Sequence, residues 1–119
     1  MIVRMIKDRM YQKRIMLIYG DRYDKVNAYL VKRFGKKVER FDEDEQGGML
    51  EVMHKRRKYF ILWLERINKS PRDLGYLAHE VLHLTFIISQ YLGFKINAES
   101  DEPICYYHQY LFENIIKVI

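Results

Sequence analysis

Apolar residues along the chain change their spacing several times, and each change marks an element. The run Arg14–Tyr19 (RIMLIY) is short, apolar and closed by Gly20-Asp21, which predicts a buried strand. Tyr23, Val26, Leu30 and Phe34 then recur at helical spacing up to Gly35, a residue suited to ending a helix. Lys25, Lys32 and Arg33 give that helix a basic outer face. The acidic loop FDEDEQGG at 41–48 separates this pattern from the next. Met49–His54 and Tyr59–Glu65 flank the basic segment Lys55–Lys58 and predict a hairpin.

Ser70 and Pro71 announce a helix, because serine caps orphan N–H groups and proline fits the first helical position. Asp73 stands where a capping-box carboxylate would. The apolar run that follows ends at Gly93, and after the break FKINAES a last helix starts near Asp101, with Pro103 tolerated in its first turn. Strand, helix, hairpin, helix, helix describes an α+β domain, with a small sheet (strand plus hairpin) packed on one side against helices. A chain of 119 residues suits a single domain spanning 1–119.

Composition changes this picture little. Half the residues are apolar and aromatics are plentiful, which is globular and not disordered. The most apolar stretch, Leu77 to Leu92, is broken by His79, Glu80, His83, Ser89 and Gln90, so no membrane span is expected. The N-terminal MIVRMIKDRMYQKR lacks the continuous apolar stretch of a secretory signal. One cysteine, Cys105, excludes an intrachain disulfide, and a reducing cytoplasmic location is the expectation. The net charge of +5 is uneven: residues 1–58 hold sixteen Lys and Arg against nine Asp and Glu, and residues 59–119 hold five against seven. Such a basic half can attract nucleic acid. No nucleic-acid-binding motif accompanies it, and a solvated, solubilising surface is the reading that carries more weight.

The chemistry lies in L-A-H79-E80-V-L-H83-L. Two histidines four apart project from one helical face and can reach one metal ion, and the intervening Glu80 lies about 100° round the helix. This is the H-E-x-x-H arrangement, in which the glutamate serves as general base beside the attacking water. A catalytic zinc ion (Zn2+) normally takes three protein ligands, and Glu99, Asp101, Glu102, His108 and Glu113 follow His83 as candidates. Glu102, in the first turn of the last helix, reaches the pair if the two helices pack side by side; Glu99 in the preceding loop is the runner-up. His108 faces away from Glu102 and reads as a polar surface or interface residue. Tyr76, three residues before His79 on the same side, is a candidate oxyanion donor, but a core-packed tyrosine is the commoner arrangement. The same holds for Tyr106 and Tyr107. Cys105 reads as a packed thiol, and Phe60, Leu62 and Trp63 as core.

H79-E80-V-L-H83, a spacer holding Gly93, then S-D-E102-P-I-C-Y-Y with aromatics through Phe112 resembles the zincin-like metallopeptidases. More closely, it resembles the small single-domain zincin-like proteins of tailed-phage genomes, over roughly residues 48–113. The resemblance implies a minimal zincin-like domain with an H-E-x-x-H helix and a C-terminal helix against the sheet. It implies a zinc site of His79, His83 and Glu102 with Glu80 as base, and a peptide or protein substrate in the host cytoplasm. The chain departs from the larger peptidases at Tyr106, where they carry an Asp, and Pro103 replaces a small residue after Asp-Glu.

Overall fold

The computed structural model describes residues 1–99 and 101–119. Four strands, β1 (Ile2–Lys7), β2 (Arg14–Tyr19), β3 (Gly47–His54) and β4 (Arg57–Leu64), form one mixed sheet in the order β1-β2-β4-β3. β1 with β2 and β3 with β4 are antiparallel hairpins. The two hairpins join through parallel pairing of β2 with β4, Arg14 beside Tyr59 and Tyr19 beside Leu64. Parallel strands need a crossover, supplied here by helix α1 (Tyr23–Phe34) and the segment leading to β3.

Central strands of such a sheet are buried on both faces, which is why β2 and β4 are nearly continuous apolar runs. Ile15, Leu17, Phe60, Leu62 and Leu64 pack with Leu77, Val81, Leu84 and Ile88 of α2 (Pro71–Tyr91) and Tyr107, Leu111 and Ile115 of α3 (Asp101–Val118). Met16, Ile18, Ile61 and Trp63 pack on the other face with Val26 and Leu30 of α1. Helices therefore cover both faces, where the sequence predicts one. The difference lies in the parallel β2–β4 pairing, whose crossover helix needs a face of its own. The sheet also gains β1, which the chain's pattern does not announce: only Ile6 of its six residues is buried.

The helix starts and ends agree with their caps. Ser70 accepts a hydrogen bond from the Asp73 N–H at 3.3 Å, with Pro71 behind it. The N–H of Gly35, at φ 100°, donates to the carbonyl of Val31 and closes α1. α2 runs from the end of β4 back toward its start: Tyr76 packs beside Gly47 and Tyr91 meets Phe60 at 5.7 Å. α3 runs the opposite way. Its Tyr107 hydroxyl donates to Asp8 Oδ2 at 2.8 Å, and its C-terminal end meets Tyr19, whose hydroxyl donates to the Val118 carbonyl at 3.4 Å. We call the end of the sheet at Lys7, Arg14, His54 and Arg57 the lower end, and the end at Tyr19, Gly47 and Leu64 the upper. Among the described residues no helix is long and apolar enough to cross a membrane.

Candidate metal centre and cleft

His79 and His83 stand one turn apart on the exposed side of α2. Their Nε2 atoms approach to 3.2 Å, with the rings nearly perpendicular at 79°. This contact is a hydrogen bond between the two imidazoles; two nitrogens roughly 2.0–2.1 Å from a tetrahedral ion lie about 3.3 Å apart, so the same spacing suits two ligands of one zinc. Glu80 lies beside them but turns toward the core, where only 7% of it is exposed. Burial pushes its carboxyl above the usual range, against the pull of His83 and His79.

Tyr76 completes one side of the site. Its ring lies parallel to that of His79, 5° between planes and 6.4 Å between centroids. It is 39% exposed, so the expected core-packed tyrosine is overturned. The reason is its place on α2, over the first residue of the edge strand. A Cβ at Gly47 would stand 3.2 Å from the Tyr76 hydroxyl and 3.0 Å from the Trp63 carbonyl, and glycine leaves room for the ring. Burial, then Glu80, Glu45 and Glu65, raise the phenol pKa above its ordinary value, which keeps its O–H as a donor at neutral pH.

From His79 a cleft of about 510 Å³ runs along α2 toward its N-terminus, walled by Tyr76, Asp73 and Arg72 on the helix and by Gln46, Glu65 and Arg66 at the sheet's upper end. Asp73 Oδ2 is buried there without a hydrogen bond, and Arg66 Nε stays 3.9 Å away. Of these walls the sequence pattern singles out Tyr76 and, as a helix cap, Asp73; Gln46, Glu65, Arg66 and Arg72 carry no such signal. Only the Gly pair at 47–48, read as the close of a loop, hinted at a tight approach.

The third expected ligand is not brought to the pair. Thr85 Oγ1 and His108 Nδ1, 3.2 Å apart, fix the register of α2 against α3. Because these helices run antiparallel, Glu102 lies six residues toward the lower end from that contact and His83 two residues toward the upper. At 1.5 Å per residue they are about 12 Å apart along the axes, and His79 is about 18 Å from Glu102. Glu102 and Glu99 are both exposed, Asp101 accepts the Cys105 thiol at 3.5 Å, and Glu113 accepts from Gln109 at 3.1 Å. Among the described residues no three His, Cys, Asp or Glu side chains gather at one point.

Other expectations divide. His108 is an interface residue as its position suggested, its pKa lowered by burial. Tyr107 is packed, and burial with the Asp8 carboxylate pushes its phenol far up. Tyr106 is 62% exposed, and Cys105 is exposed and not packed, its thiol pKa raised first by its hydrogen bond to Asp101. Both sit on the face of α3 turned from the sheet. Comparison with protein-family models, curated proteins and solved structures returned no match.

Proposed function

We propose that the chain is a zinc-dependent hydrolase, with a peptide or protein as substrate, in which His79 and His83 hold the ion and Glu80 is the general base. The 3.2 Å approach of the two Nε2 atoms carries this reading. Zinc, when bound, would supply Lewis-acid polarisation and lower the pKa of water. The chain's residues divide the remaining work. Glu80, on the helix face between the histidines and the core, takes a proton from the attacking water and returns it to the leaving amine. Its raised pKa brings it nearer to neutrality, which favours that exchange. Tyr76 offers an O–H donor beside His79, where an oxyanion would develop. The cleft and the adjacent edge strand β3 offer an extended substrate a place to lie.

A second reading rests on the placement of Glu102 at the far end of α3. Two histidines facing solvent can equally clamp zinc in a non-catalytic protein that binds a host protein or nucleic acid. Zinc stoichiometry and position 80 separate these readings. The wild type should carry about one zinc per chain, and the His79→Ala, His83→Ala double variant none; equal metal in both removes the site. Glu80→Gln should keep zinc and lose on the order of a hundred- to ten-thousandfold in cleavage rate, read on substrates found by proteomic cleavage profiling. Undiminished biological effect in the zinc-loaded Gln variant would leave only the binder.

A further inference from the structure

The two ends of the sheet treat their cations differently. At the upper end, Asp21 takes the N-terminal ammonium at 3.2 Å and Lys25 at 3.6 Å, and Asp73 has Arg66 within 3.9 Å. At the lower end, Lys7, Arg14 and Arg57 stand on three neighbouring strands and share the face that α1 covers higher up. Lys7 pairs with Arg14, Arg14 with Tyr59, and Arg57 follows Tyr59 at the even spacing that keeps it on that face.

α1 delivers more charge to the same place. Its Phe34 ring meets His54 at 5.4 Å and Tyr59 at 5.2 Å, which brings Arg33, Lys36 and Lys37 to the lower end. The β3–β4 turn adds Lys55 and Arg56 at the tip. All eight cations are exposed, and none of them forms an ion pair among the described residues.

The turn supplies an independent observation. Lys55 and Arg56 have φ of 51° and 65°, the left-handed pair that a two-residue hairpin turn requires and that Asn-Gly meets without strain. Gln12, in the β1–β2 turn at the same end, has φ 55°. Backbone strain is thus concentrated at the basic end, and in the hairpin it is borne by two cations in positions where neutral residues would fold better. Strain kept against an easier alternative points to work done by the side chains.

The aromatic rings at this end narrow the partner. Lys13 and Lys58 lie over the Tyr91 ring at 4.9 and 4.6 Å, and Arg33 lies over Phe34 at 5.4 Å. A single strand stacks its bases on open aromatic faces, whereas on the α1 face Phe34 packs against His54 and Tyr59 with Arg33 over its ring. The farthest-reaching side chains are those of Lys55 and Arg56 at the tip, cations suited to phosphates and not to a hydrocarbon layer. An acidic protein would call for an apolar centre inside the charged rim. We propose that the lower end binds the sugar–phosphate backbone of a duplex nucleic acid, without regard to base sequence.

The full chain, in EDTA so that the outcome stands apart from the zinc reading, is titrated into two labelled DNA duplexes of unrelated sequence over a range of salt. Equal affinities that fall steeply with salt are expected. The double variant Lys55→Asn, Arg56→Gly relaxes the turn, so its melting temperature should hold or rise while affinity drops roughly tenfold and the log–log salt slope flattens by about 1.8. Lys36→Glu, Lys37→Glu should weaken binding further from a different element. Unchanged binding in both folded variants overturns the proposal. So does tighter binding to a single strand of the same length, or equally tight binding to phosphatidylserine vesicles or polyglutamate at the same salt.

Discussion

Glu80 and Tyr76 are single side chains whose surroundings set their chemistry. Burial raises the pKa of Glu80, so the folded chain holds that proton more tightly than the unfolded chain does. The resulting stability is complete below the ordinary value of 4.5 and is lost as pH rises through the folded pKa. Glutamine carries no such charge. Metal-free Glu80→Gln should therefore melt with the wild type at pH below 4.5 and above it at neutral pH; a constant difference across the range would contradict the buried charge. Tyr76→Phe removes one donor and leaves the ring stacked on His79. Zinc content should be unchanged and kcat should fall on the order of a hundredfold, measured on the cleaved substrate. That His79 and His83 share one exposed face of α2 was legible from their spacing alone. The exposure of Tyr76 was not, because it depends on Gly47, twenty-nine residues earlier.

Elements were legible where their ends are chemically marked. Ser70-Pro71 and Gly35 place the boundaries of α2 and α1, and the apolar runs of β2 and β4 announce strands. β1 escaped because an edge strand with one buried residue shows no alternation. What holds its far end is a carboxylate: Asp8 Oδ1 accepts the N–H groups of Met10 and Tyr11, Oδ2 that of Lys13, and Tyr107 donates to Oδ2 from α3. Hydrogen bonds to a charged group contribute about 1.5–3 kcal/mol each. Tyr107→Phe should thus destabilise the fold by about 2 kcal/mol in urea titration, with little change in cooperativity. A loss well under 0.5 kcal/mol would show that the bond between turn and helix is dispensable.

Across the whole molecule, the antiparallel run of α2 and α3 decides which distant residues can share a site. No local pattern reports helix direction, and for that reason the separation of Glu102 from the two histidines was not legible. The testable consequence is an unresponsive position: Glu102→Ala should leave zinc affinity within about twofold, where loss of a true ligand costs far more. A large loss would mean that α3 packs in another register. Parallel pairing has a different consequence, in time. β2 waits for a partner that begins forty-three residues later, Arg57 after Arg14. At roughly 5–20 residues per second of synthesis, the RIMLIY strand leaves the ribosome some 2–9 seconds before β4 can cover its second edge. During that interval the newborn chain shows an open, apolar strand edge to its neighbours, and its yield in a crowded cell should depend on how fast it is translated.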